Sequence, residues 1–269
     1  KELMSSLKAV LVPLRVLNEF QVAGVFVNWW SAIKYDLKTI SSSGWMATLI
    51  PRQYFIDTYF ATENLTIEKI EDEIGLLTTV LQQAIEEVEF DGDENEEITT
   101  KVIKAYLNDE IKSLGKGKNV ENEIKELKTA LGKIKDFEKG IKGKKEELKA
   151  QRYVLNKKVK FKMFGIDEEV QNNMLLINEN NERYIAIDLQ IQASIGRKGE
   201  DVKRLTKTAK QIKADNEVLR SRNVELHEFL TSIGGVVSES ECRTLILQKH
   251  KQLVLVELMK YVKAEELKM

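Results

Sequence analysis

Apolar residues recur at steps of three and four along most of this chain, the period of a helix buried on one side. The cleanest run is Leu205, Ala209, Ile212, Asn216, Leu219, Asn223, Leu226 and Leu230. Two of its positions are asparagine. A buried asparagine in a helical seam lowers stability but fixes register and partner number. The run stops at "IGG", 233–235, where glycine suits a left-handed cap. Ser238 and Glu241 then have capping-box spacing, with Val237 over Cys242 as a hydrophobic staple. A last helix is predicted over 239–268, with Leu245, Leu253, Val256 and Met259–Lys260 near its buried face.

A second seam is stricter. Val120, Leu127, Ile134, Ile141, Leu148 and Leu155 stand seven apart, and Ile124 and Leu131 fill the alternate position. Phe137 then stands one residue before the expected site, which Glu138 occupies. This predicts a coiled-coil seam with a local slip. Gly132, Gly140 and Gly143 weaken it, by up to about 1 kcal/mol each against alanine. Upstream, Ile70, Ile74, Leu77, Leu81, Ile85 and Val88 mark another amphipathic helix. "DGDENEE" at 91–97 breaks it, a shorter helix covers about 97–114, and "GKGK" at 115–118 ends that one.

The first sixty residues are more apolar and aromatic. Leu7, Val10, Leu11, Leu14 and Leu17 form a helical stripe with Pro13 as a kink or boundary. Val22, Phe26, Trp29, Trp30 and Ile33 form the next, and "SSSG" at 41–44 reads as a loop. A helix buried on most of its surface accounts for the adjacent tryptophans without any ligand. Between 174 and 192 the pattern is ambiguous. Ile185, Ile187, Leu189 and Ile191 alternate with polar residues, and "NENNE" at 178–182 resembles a turn. A small β-hairpin pairing 174–177 with 184–191 is one reading and a helix is the other. The expected class is mostly α, with long antiparallel helices and coiled-coil seams. Two domains are expected, 1–60 and a helical extension 61–269.

Composition agrees with long helices: two prolines in 269 residues and 32% charged side chains. Net charge is only −1, yet the signs are segregated. Glu63 to Glu97 holds thirteen acidic residues against one lysine, and Lys112 to Lys162 holds seventeen basic against seven acidic. Mutual attraction and solvated faces explain this, and phosphate contact by the basic arm is the sharper alternative. The lone cysteine, Cys242, forbids an intrachain disulfide, which suits a reducing compartment. No apolar run approaches the roughly 20 residues of a spanning helix, and no leader pattern is present. A cytoplasmic chain without a membrane partner is expected.

Catalytic patterns are scarce. The acidic loop resembles a calcium loop in Asp91, Asp93 and Asn95, but its glycine comes too early and Ile98 replaces no terminal glutamate. The glycines at 115–117 lack phosphate-loop spacing. His227 and His250 lie on separate predicted helices as surface or cap residues, and Cys242 reads as packing. No metal or cofactor ligand set emerges. "SIGRKGEDVKRL" at 194–205 resembles the glycine-loop signature of KH domains, which clamp nucleotide backbones. Lys116, Lys118, Arg197 and Lys198 are the corresponding candidates for nucleic-acid contact. The competing reading is a glycine turn opening a long helix, with Glu200 and Asp201 at its positive end.

Two longer stretches resemble a known family. "EFQVAGVFVNWWSAIKYDLKTISSSGW" with "TLIPRQYFIDTYF", and "GGVVSESECRTLILQKHKQLVLVELMKYVKAE", are similar to the C-terminal region of modification (M) subunits of type I restriction–modification systems. The resemblance is most specific at 18–60 and 236–266. It implies a parent that transfers a methyl group from S-adenosylmethionine to adenine N6 in double-stranded DNA. It also implies partners: a specificity subunit, a second M subunit and a nuclease subunit. Neither the cofactor's glycine-rich loop nor an N-P-P-F/Y motif is present, because the only prolines are Pro13 and Pro51. The chain starts and stops in mid-pattern, so a fragment whose catalytic residues precede Lys1 is expected. The family's C-terminal helices dock on helices of the specificity subunit, which suits the seams at 120–155 and 205–230.

Overall fold

The structure, a computed structural model, describes residues 2–14, 17–88, 90, 99–114, 120–194 and 199–266. Among these are nine α-helices and no strand: α1 Glu2–Leu11, α2 Glu19–Ser43, α3 Arg52–Tyr59, α4 Ala61–Glu86, α5 Thr100–Ser113, α6 Glu121–Phe164, α7 Asp167–Ala193, α8 Glu200–Ser232 and α9 Glu239–Glu266. Single 3-10 turns lie at Val12–Leu14 and Ala47–Leu49. The mostly α class is thus as expected.

The hairpin considered at 174–192 is not formed, because α7 runs unbroken through that stretch. Its alternating isoleucines fold into two stripes of one helix. Ile187 and Ile191 are half-buried, while Ile185 and Leu189 are exposed. The asparagine-rich 178–182 is not a turn either, since its amides bond to α8 as described below.

Several helix ends follow from local chemistry. Asn18 caps α2: its Oδ1 accepts from Gln21 N at 2.9 Å, and Gln21 Oε1 accepts from Asn18 N at 2.8 Å. Serines 41–43, expected in a loop, instead continue α2 to Gly44, whose φ of +81° ends it. The capping box at α9 is formed, with Ser238 N donating to Glu241 Oε2 at 2.7 Å and Glu241 N to Ser238 Oγ at 3.3 Å. Before it, Gly234 and Gly235 adopt φ of +75° and +70°.

The chain divides into two compact units, residues 57–156 and residues 1–56 with 157–269. In the first, α4, α5 and α6 close around Ile85, Ile103, Leu107, Leu131 and Ile134, with Leu81, Val88, Tyr106 and Leu127 packed against them. Phe90 meets Tyr106 edge-on at 5.1 Å. The acidic arm and the basic arm attract each other inside this unit, with Lys144 Nζ 2.7 Å from Glu73 Oε2 and Arg152 paired to Glu71.

In the second unit α2 lies on α9, and α7 lies on α8. Val22, Val25 and Ile33 are the buried residues of α2. That helix is therefore buried along one face, not on most of its surface as expected, and Phe20, Val27 and Trp30 stay exposed. A second cluster gathers Phe161 from the end of α6, Ile166, and Leu226 of α8, with Phe229 edge-on to Phe161 at 5.7 Å. Lys162 follows Phe161 into this interior. Its carbonyl accepts from Val237 N at 2.8 Å, and its Nζ donates to Gly234 O at 3.1 Å, tying the α8–α9 turn to α6.

Candidate helix-pairing site

Apart from Lys162, the two helix pairs of the second unit carry its buried polar groups. Along α7, side chains at 170, 173, 177, 180, 184, 187 and 191 are withdrawn from solvent, alternating steps of three and four. Along α8 the same holds for 202, 205, 209, 212, 216, 219, 223, 226 and 230. The helices run antiparallel, and asparagines join them. Asn173 Nδ2 donates to Asn223 Oδ1 at 2.7 Å, Asn180 Nδ2 to Asn216 Oδ1 at 3.0 Å, and Asn216 Nδ2 to Asn181 Oδ1 at 2.9 Å. Lys213 Nζ sits 4.7 Å above the Tyr184 ring in the same register. Asn216 both donates and accepts across the seam, so a one-turn slip would leave its buried amide and that of Asn173 without these partners.

The α2–α9 pair uses charge instead. Asp36 Oδ2 accepts from Lys249 Nζ at 2.6 Å and lies 2.9 Å from His250 Nε2. Lys249 also donates to Leu49 O at 2.8 Å, and Trp29 Nε1 donates to the carbonyl of His250 at 2.9 Å. Burial alone would raise the Asp36 carboxyl, but the hydrogen bonds from Lys249 and His250 and the Lys249 charge outweigh it and hold it below the ordinary carboxylate range. The helices approach closely here. A Cβ at Gly24 would come within 2.5 Å of the Tyr261 hydroxyl.

The expected seam residues fall into place unevenly. Leu127 and Ile134 pack within the α4–α5–α6 core, Ile141 and Leu155 are buried, and Leu148 and Val120 are half-buried. Ile212, Asn216 and Leu226 are buried in the second unit, while Leu205, Leu219 and Asn223 are half-buried. For Asn216 and Asn223 the bonding partner is another helix of the same chain. Lys116, Lys118, Arg197 and Lys198 lie outside the described residues, as does the acidic loop at 91–97. Gly199 is the N-cap residue of α8, with Glu200 and Asp201 in the first turn.

Two groups escaped the sequence reading. His250, expected at the surface, is buried against Asp36, and neither residue has a periodic partner to announce it. Asn173 and Asn180 had a signal: they stand seven apart, as Asn216 and Asn223 do, so the spacings match.

Among the described residues no three His, Cys, Asp or Glu side chains converge as a metal site, and no helix is long and apolar enough to cross a membrane. Burial, and then Glu241 and Glu239, push the Cys242 thiol up, away from thiolate reactivity. His227 is exposed, its Nδ1 2.7 Å from Asn223 O. A groove of about 510 Å³ between α4 and α6 is lined by Glu87, Asn122, Lys125, Glu126, Thr129 and Lys133 with three small apolar neighbours, Ala84, Val88 and Ala130. None of these lining side chains is aromatic. Compared with protein-family models, with curated proteins and with solved structures, the chain matches none.

Proposed function

We propose that this chain is the helical C-terminal part of a type I modification subunit, and that it serves assembly with the specificity subunit and clasping of DNA. The observation that carries this reading is the packing of α2 on α9. The resemblance rests most firmly on 18–60 and 236–266, and these stretches, 214 residues apart at Asp36 and His250, supply the two sides of one contact. A family likeness confined to unrelated surface segments has no reason to bring them together. Methyl transfer belongs, in this reading, to the rest of the subunit, and no residue of this chain is assigned a step in it.

The α7–α8 pair is, in the same reading, an antiparallel coiled-coil arm whose asparagines set register. Its inner seam is filled, so its outer face is what a specificity-subunit helix meets. Met174, Ile185 and Leu189 lie exposed on the side of α7 turned from α8, at helical spacing. The test is co-purification of the chain with a type I specificity subunit from the same genome. Stable association is expected. Ile185→Glu with Leu189→Glu should abolish it without moving the melting temperature, since neither side chain is buried. Association unchanged by that double substitution would remove α7 as the docking face. No association, either with this chain or with a full-length modification subunit carrying it, would remove the reading altogether.

A further inference from the structure

Helix α6 carries two kinds of basic residue. Two that meet the acidic arm are neutralised: Lys144 by Glu73 and Glu147, and Arg152 by Glu71. Those turned away are not. Lys128, Lys135, Lys142 and Lys149 recur every seven residues, all exposed. None of the four has a hydrogen bond or ion pair with any described residue. Lys139 and Lys145 are exposed beside them, and the exposed carboxylates of Glu146 and, seven residues before Lys128, Glu121 share the face. Over 21 residues the column runs about 30 Å, with about 10 Å between lysines and a drift of about 20° per step.

We propose that this column is a sequence-independent track for the phosphate backbone of duplex DNA. Three features select that partner. First, the apolar side of α6 is spent inside the unit, on Leu131, Ile134 and Ile141. From 121 to 152 the helix exposes no large hydrophobic side chain, so a partner helix finds no knobs and a lipid surface no insertable face. Second, the charges are lysine ammoniums, point charges that suit phosphate without planar readout of base edges. Third, the column is about as long as one turn of B-DNA, about 34 Å. An unneutralised row of ammoniums releases condensed counterions when it meets the far denser charge of a duplex. The proposal rests on the assembly reading for its ligand and names the residues of the DNA contact.

The test is fluorescence anisotropy with a mixed-sequence 30-base-pair duplex over a potassium chloride series. It compares the full chain with Lys128→Gln, Lys135→Gln, Lys142→Gln and Lys149→Gln combined. The quadruple variant should bind at least tenfold more weakly at low salt, and its log–log salt slope should be shallower by about 3 to 4. Its melting temperature should not move, because the four exposed side chains make no hydrogen bond or ion pair with a described residue. Replacing the same four by arginine should keep the affinity, which excludes a folding defect. Lys144→Gln, at a paired lysine, should leave the slope alone. An unchanged slope in the quadruple variant overturns the proposal, as does equal affinity for polyglutamate or anionic phosphatidylserine vesicles. Should the chain associate with a specificity subunit yet ignore duplex DNA, this inference and the DNA-clasping half of the proposed function fail while the assembly half stands; failure of both experiments removes both.

Discussion

The α7–α8 and α2–α9 contacts are both antiparallel helix pairs with polar groups in the seam, but their polar groups differ in kind. The first uses neutral amides: Asn173 with Asn223, and Asn216 with Asn180 and Asn181. The second uses ions: Asp36 with Lys249, and with His250 beside it. Amides pair only in the matching register and do not titrate. An ion pair tolerates displacement better but depends on pH and is costly to break. The long pair, where slippage by a turn is the hazard, has the amides. The shorter contact, fixed by a glycine that admits the Tyr261 ring, has the charges.

The contrast can be broken at its apolar base first. Leu226→Ala empties a site walled by Phe161, Ile166 and Phe229 and should cost about 3 kcal/mol in urea unfolding, whatever the pH. Next comes the ionic side. Asp36→Asn removes the charge while keeping the shape, and should cost about 2 kcal/mol near neutral pH. Because the Asp36 pKa is depressed in the folded chain, its stabilisation is complete above the ordinary aspartate value of about 3.9 and is lost as pH falls through the folded value. The gap between wild type and Asp36→Asn should therefore close on acidification, and a gap constant down to pH 2 would show that the charge contributes nothing. The amide side is smallest. Asn216→Ala should cost about 1 kcal/mol at every pH, and Asn216→Leu about as little or less. The leucine variant should nonetheless show faster amide hydrogen exchange along α7, the mark of a register no longer fixed.

Much of this architecture was legible from periodicity alone, and the exceptions have physical causes. The spacing of Leu205 to Leu230 announces a buried stripe but not what buries it, so Asn216 and Asn223 pointed outward to a partner protein. Of their matches, Asn173 stands just before the stretch 174–192 and Asn180 lies in the part of it that resembled the turn of a hairpin. The alternation from Ile185 to Ile191 is compatible with a strand and with a helix that leaves Ile185 and Leu189 exposed, and an isolated sequence does not separate the two. Ser238 and Glu241, by contrast, act across three residues, and their capping box was readable in full. His250 was not, because its burial depends on Asp36, more than two hundred residues away.

That separation also has a meaning in time. A ribosome adds about 5 to 20 residues each second. The 214 residues between Asp36 and His250 therefore take about 10 to 40 seconds to synthesise. Throughout that interval Val22, Val25, Ile33 and Trp29 wait for α9, while the unit 57–156 has every residue it needs once residue 156 is added. The nascent chain thus spends its longest exposure on its most aromatic helix, and a trigger-type chaperone at the exit tunnel would find its work there.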